Sequence, residues 1–347
     1  NAKLLTLLHA RGSASPAIER MDIVTSFLQR FPWATSCYRY LLPLMPAAVE
    51  RLRIPREANI VLSFSHAVAK SVRVPGGVTP TAEFGELLRR AEVVVAAAPS
   101  HHARAVYREM APVLATGVPL LVATKGIEEG TLSLPADVAR QELGADRPVA
   151  VLSGPSFAAE VARGVPTAVV VASADEDLSL RLRDLLSSGS FRLYVNRDLL
   201  GVQLAGALKN VIAIAAGVLD GLGEGRNTLA ALVTRGLAEM RRLGLALGAD
   251  PATFAGLAGL GDLVLTCTGE MSRNRGVGRA IGRGERLSDV LERSSFVAEG
   301  VRTTRAARAL ALRAGVTMPI VEEVHGLLFE AASPKESVAR LMSRPLT

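Results

Sequence analysis

Cysteine is scarce in this chain: two residues among 347, Cys37 and Cys267, lie far apart and form no C-x-x-C or Cys/His grouping. That spacing offers no metal site and argues for a reduced, cytosolic setting. Lysine is nearly as rare, with Lys3, Lys70, Lys125, Lys209 and Lys335 standing among 40 basic residues. Arginine keeps its proton near neutral pH whereas a desolvated lysine can release it, so a lysine inside an apolar segment is a candidate acid/base. Also missing is a charge-free apolar run long enough to cross a bilayer. The stretch Leu199 to Leu219 carries Gln203, Lys209 and Asn210 near its middle, and a central lysine alone costs about 2.5–3.5 kcal/mol on insertion scales. It reads as a buried helix, with no membrane insertion. No basic n-region with an apolar stretch and cleavage site opens the chain, so a cytoplasmic protein is expected.

What is present suits a soluble α/β protein. Apolar residues make up 49% and charged residues 21%, enough for the cores of two ordinary domains. The formal charge of +7 fits nucleic acid, a membrane surface or anionic metabolites. The arginines are scattered, no basic stripe appears, and no nucleic-acid partner is expected. Residues 1 to about 76 differ in texture, holding the one tryptophan and several prolines between Phe27 and Pro46. Beyond Pro75-Gly76-Gly77 the pattern becomes regular. Ala91–Ala98, Val118–Thr124, Val149–Leu152, Thr167–Ala172 and Phe191–Val195 read as short buried strands with amphipathic helices between most of them. After Arg197 helical patterns take over, at Leu199–Leu219, Thr228–Leu247 and Pro251–Leu260, then in shorter pieces to Leu341. The expected fold is therefore an incomplete doubly wound, Rossmann-like parallel sheet over 77–197, followed by an all-helical domain over 198–347.

Two charges stand alone in apolar surroundings. Lys209 is the one ionisable side chain between Asp198 and Asp220, and Asp262 the one charged residue between Asp250 and Glu270. An unpaired ammonium in such a helix would lose its charge, so the two invite pairing. The pair reads either as an acid/base lysine tuned by an aspartate or as a structural ion pair locking two helices. Ser272-Arg273-Asn274-Arg275 precedes the helical stretch Gly276–Ile281, so a serine cap, free N–H groups and a guanidinium converge. An anion such as phosphate suits that place, as does an ordinary capped surface helix. Thr124-Lys125-Gly126 and Ser153-Gly154-Pro155-Ser156 each follow a strand, at the carboxyl edge where open α/β sheets bind ligands. The loop residues His101 and His102 have no carboxylate or cysteine at metal or triad spacing in the sequence and are assigned no catalysis. Gly276-Val277-Gly278 with Gly282 imitates a dinucleotide loop but follows no strand. No strand followed by G-x-G-x-x-G precedes Ala91, where a first βαβ unit ought to stand.

The co-linear segments VVVAAAPSHHARAV, LLVATKGIEEGT, AVLSGPSFAAEVARGVPTAVVVAS, GALKNVIAIAAGVLDGLGEGRNT, GLAGLGDLVLTCTGEMSRNRGVG and FVAEGVRTT resemble bacterial NAD(P)-dependent glycerol-3-phosphate dehydrogenase in order and spacing, from about residue 78 to the C-terminus. The resemblance implies NAD or NADP as cofactor, a phosphorylated substrate (dihydroxyacetone phosphate or glycerol 3-phosphate), a place in glycerophospholipid precursor synthesis and a homodimer. It implies Lys209 and Asp262 as the catalytic pair. Lys125, Gly154, Ser156, Asn210, Ser272, Arg273 and Asn274 would bind substrate, and Lys125, Ala158, Arg273, Val297 and Glu299 would lie on the cofactor side. Residues 1–76 instead look like a fragment of a glycosyltransferase, a foreign or fused segment. The absence of the glycine-rich loop implies weakened cofactor affinity, and a catalytically impaired remnant is the alternative reading.

Overall fold

The computed structural model describes residues 3–6, 22–25, 88, 91–293 and 298–344. Two compact units are present: Asn1–Ala91 with Val113–Ala115, and Glu92–Pro112 with Thr116–Thr347. In the first, β1 (Lys3–Thr6) and β2 (Asp22–Thr25) form a parallel pair. Apart from these strands, the glycosyltransferase-like segment lies outside the described residues.

The second unit begins with a five-stranded sheet in sequential order, built from β3 (Val94–Ala96), β4 (Leu120–Val122), β5 (Val149–Ser153), β6 (Thr167–Ala172) and β7 (Phe191–Asn196). Helices α1 (Ser100–Met110), α2 (Pro135–Leu143), α3 (Ala158–Ala162) and α4 (Glu176–Leu186) connect them. All three residues of β4 are buried, as the run of β-branched and leucine residues in a doubly covered strand requires. The sheet is parallel except between β5 and β6, where Val151 faces Ala172 and Ser153 faces Val170. The largely parallel sheet follows the sequence expectation, and the one antiparallel step is also the one whose connecting helix is shortest: α3 has five residues, where α1, α2 and α4 have 11, 9 and 11. The first strand is also shorter than the apolar run 91–98, because Pro99 ends it and leads into α1.

The helical half surrounds α5 (Leu199–Leu222), whose residues from Gly201 to Leu219 are all buried. Its most apolar 18-residue window lies wholly inside the protein, as expected of a core helix that is apolar all round. Asp198 caps it, accepting from Gly201 N at 2.8 Å, and Gly223 in the left-handed region (φ 78°) ends it. Around it lie α6 (Arg226–Ala246), α7 (Pro251–Ala255), α8 (Asp262–Thr268), α9 (Arg273–Gly282), α10 (Leu287–Arg293), α11 (Glu299–Arg313), α12 (Pro319–Phe329) and α13 (Pro334–Met342).

Two features of this half bear on the site. First, α9 packs backbone to backbone on α5: a Cβ at Gly217 would collide with the Arg275 carbonyl, and one at Gly278 with that of Ile214. Second, the expected helix Pro251–Leu260 is broken. α7 stops at the extended Gly256, a π-helical turn runs over Leu257–Gly261, and α8 starts at Asp262. Three glycines in six residues, Gly256, Gly259 and Gly261, weaken regular helix there. The wide turn re-aims the following carboxylate.

Candidate active site

The carboxyl ends of the sheet strands supply one wall of the site. Lys125 and Gly126 follow β4, Gly154 follows β5, and Ser100 opens α1 beyond β3. Gly154 has φ +133°, and a Cβ there would lie 2.9 Å from Val169 Cα, so the loop sits tight on β6. Ser156 Oγ donates to the Gly154 carbonyl at 3.1 Å, closing that turn.

The helical half supplies the opposing groups. Lys209, on α5, donates to Asp262 Oδ1 and, at 2.8 Å, to Thr266 Oγ1. Asp262 Oδ2 accepts from Lys125 Nζ at 2.6 Å, while Lys125 also reaches the Gly154 carbonyl at 3.4 Å. One carboxylate, 1% exposed, thus bridges two ammonium groups whose side chains are 8% exposed at Lys209 and 23% at Lys125. The pairing of Lys209 with Asp262 follows the sequence expectation. Lys125 joins the same carboxylate, a contact that its place on another strand's edge hid from linear reading.

Burial and charge set the titration of the cluster. Burial disfavours the Lys209 ammonium, the neighbouring Lys125 charge adds to this, and Asp262 offsets part of it, leaving the pKa at about 7 in place of 10.5. For Asp262, burial by itself raises the pKa. The two ammonium groups outweigh it and hold the carboxyl below its ordinary value. Two cations on one anion make release of a single proton near neutral pH the natural outcome.

A second group of predicted residues forms a polar chain across three helices. Asn274 Nδ2 donates to Asn210 Oδ1, and Asn274 Oδ1 accepts from Gly300 N, both at 2.9 Å. Ser272 is buried and caps α9 by accepting from Arg275 N at 3.3 Å. Arg273 opens that helix with an exposed side chain. Its neighbour Arg275 instead turns inward to Glu270 at 2.7 Å and Asp220 at 3.1 Å. Glu299, the first residue of α11, accepts from Ser100 N at 3.1 Å and from Ser100 Oγ. A Cβ on Gly126 (φ +149°) would come within 2.7 Å of the Ser100 side chain and 3.4 Å of Glu299 Oε2, so this carboxylate lies beside the Lys125 loop. Ser100 went unrecognised in the sequence because its partner is 199 residues away. Ala158 begins α3 with an exposed side chain, and Val297 lies outside the described residues. Among the described residues no three His, Cys, Asp or Glu side chains cluster as a metal centre needs.

Comparison with known proteins bears on the same residues. The family described as NAD-dependent glycerol-3-phosphate dehydrogenase matches this chain through its N-terminal model over residues 63–179 and its C-terminal model over residues 198–339. The glycerol-3-phosphate dehydrogenase (NAD(P)+) of Koribacter versatilis is 50% identical over 278 residues, which span 79% of this chain and 82% of that protein. That of Geobacter metallireducens is 48% identical over 305 residues, covering 86% and 88%. The crystal structure of glycerol-3-phosphate dehydrogenase from Coxiella burnetii superposes with a TM-score of 0.75 at 39% identity, over 78% of this chain and 83% of that one. Residues 63–76, set apart above by texture, fall inside the N-terminal match, and the comparisons lend no support to a glycosyltransferase likeness.

Proposed function

This chain belongs to the NAD-dependent glycerol-3-phosphate dehydrogenase family, and from that premise we propose that Lys209 carries the proton of the reaction and that Asp262 and Lys125 set its acidity. The enzyme interconverts dihydroxyacetone phosphate and glycerol 3-phosphate with NAD or NADP, a step that supplies phospholipid precursors. The cofactor, when bound, provides or takes the hydride at C2 of the substrate. In reduction the Lys209 ammonium donates to the carbonyl oxygen; in oxidation the neutral amine takes the hydroxyl proton. A group whose pKa is about 7 serves both directions near neutral pH. Asp262, anchored at the start of α8, orients that amine through Oδ1 while its Oδ2 accepts from Lys125.

The phosphate belongs at the start of α9, where Ser272, Arg273 and Asn274 combine backbone N–H groups, a guanidinium and an amide. Asn210 adds a polar contact one residue from Lys209. Lys125, Gly154 and Ser156 line the shared wall.

The residues present fit the reacting end of a nicotinamide cofactor. Gly126 (φ +149°) and Gly154 (φ +133°) hold the turns after β4 and β5 in backbone conformations that favour glycine, and the Glu299 carboxylate beside Gly126 suits ribose or amide groups. Lys125, Arg273, Ala158 and Glu299 make up the cofactor side, to which likeness to the family adds Val297, outside the described residues. The sequence carries no G-x-G-x-x-G loop for the pyrophosphate. A division into a sheet half for cofactor and a helical half for substrate, a homodimer and a cytoplasmic location complete the proposal. They rest on likeness to the family.

The observation that carries this reading is the buried contact of Lys209 with Asp262. Replacing Lys209 with methionine keeps the bulk and removes the proton carrier. The variant should lose 10²–10⁴-fold in kcat with NADH and NADPH alike, while the thermal shift given by glycerol 3-phosphate changes little. A variant within tenfold of the parent in kcat would overturn the assignment.

A further inference from the structure

The Ser153 hydroxyl has no hydrogen-bond partner among the described residues, although the side chain is 3% exposed. It stands at the last position of β5, next to Gly154. Directly opposite is Gly206 on α5: a Cβ there would lie 2.8 Å from Ser153 Oγ and 3.6–3.7 Å from the Cγ and Cδ of Lys125. The hydroxyl is therefore walled by the stem of Lys125 and by the helix turn that precedes Lys209.

Other orphaned hydroxyls do not share this setting. Ser179 and Thr303 sit inside helices, where a rotation brings Oγ onto the carbonyl four residues back. The Tyr107 hydroxyl lies close to Thr124. A serine at a strand end, pressed against a glycine of a buried helix, has no such local recourse. Leaving a buried hydroxyl unsatisfied is costly, and an alanine in its place would avoid the cost.

We propose that Ser153 Oγ is a further substrate-binding group of this site, held in reserve for an oxygen of the bound triose or glycerol phosphate. The inference rests on the substrate assigned above and adds a residue to it. Its neighbours Gly154 and Lys125 already form that wall, and at Gly206 a side chain would press on the hydroxyl, its Cβ coming within 2.8 Å of Oγ. Among the described residues the hydroxyl is unsatisfied, and the ligand satisfies it.

Such a residue has a signature that a packing serine lacks, because removing the hydroxyl helps the free protein and harms the complex. The test is Ser153→Ala in the full chain, read by thermal unfolding and by calorimetric titration of glycerol 3-phosphate in the presence of NAD. The free variant should melt at the parent's temperature or about 2–4 °C above it. Its dissociation constant for glycerol 3-phosphate should rise about 5- to 15-fold, the worth of one hydrogen bond, with NAD binding unchanged. An unaltered constant overturns the proposal. So does a lower melting temperature accompanying weaker binding, which would show a structural partner for the hydroxyl. Should the parent chain itself bind no glycerol 3-phosphate, the substrate assignment fails first and this inference with it, a result distinct from either of the others.

Discussion

Exchanging Asp262 for asparagine removes the anion that holds Lys209 and Lys125 together while preserving shape. Asp262 raises the Lys209 pKa and Lys125 lowers it, with burial the largest influence. Loss of an opposite charge at contact distance is worth about 1–3 pKa units. Because Lys125, 2.6 Å from the same carboxylate, keeps repelling, we expect a fall of ~2 units, taking Lys209 from about 7 to near 5. The assay is kcat/KM in both directions between pH 4.5 and 9. In reduction, where the ammonium is required, activity should fall as pH rises through ~5 instead of through about 7. In oxidation, where the free amine is required, it should rise through the same midpoint. Both directions share one equilibrium constant, so at any pH they lose the same factor; the diagnostic quantity is the midpoint, not the size of the loss. Lys125→Met should move the midpoint the other way, upward, because it removes a like charge. A midpoint that stays put in Asp262→Asn, or that shifts in the same direction in both variants, refutes the coupling. An ¹⁵N-lysine titration reads the same displacement without turnover.

Two further outcomes test the scaffold. Glu239 is 5% exposed and accepts from Ile320 N at 2.9 and 3.1 Å, and burial pushes its pKa up to about 7. Its folded pKa thus exceeds the unfolded value, so its stability contribution is full below about 4.5 and is lost as pH rises through about 7. Glu239→Gln should flatten that dependence by up to ~3 kcal/mol in urea unfolding compared between pH 5 and 8, and an unchanged slope would argue against the buried acid. Gly278→Ala adds a methyl where the Ile214 carbonyl already lies. Despite alanine's better helix propensity it should cost ~3 kcal/mol by forcing α9 off α5, and a variant as stable as the parent in chemical denaturation would show that the two helices can part freely.

Much of the site was legible in the sequence because isolation is itself a signal. A lysine alone in 21 residues of buried helix and an aspartate alone in a glycine-rich apolar segment can each be recognised without coordinates, since a lone charge in such surroundings requires a partner. Short continuous apolar runs and helical patterning likewise placed the strands and the long helices, because burial on both faces of a strand or along a helix leaves that imprint. The ordering of motifs along the chain pointed to the family that the comparisons bear out.

What linear reading missed depended on distance or on local backbone. The antiparallel β5–β6 step is not encoded in hydrophobicity, because a buried strand shows the same apolar run whichever way it pairs. The break at Gly256 replaced the expected helix Pro251–Leu260 with the short α7 and a π-helical turn. Lys125 on Asp262 and Ser100 on Glu299 join residues 137 and 199 positions apart.

The sequence by itself determined which residues needed burial, which needed charge partners and which stretches would be strand or helix, because those are properties of side chains and of their spacing. The tertiary structure decided who meets whom: that two lysines share one carboxylate, that Glu299 is tied to Ser100, and that the Ser153 hydroxyl has no partner among the described residues. Partnership across 50 to 200 residues is set by how the sheet edge and helices pack, and free energies of a few kcal/mol turn on contacts of under 3 Å that no one-dimensional pattern specifies.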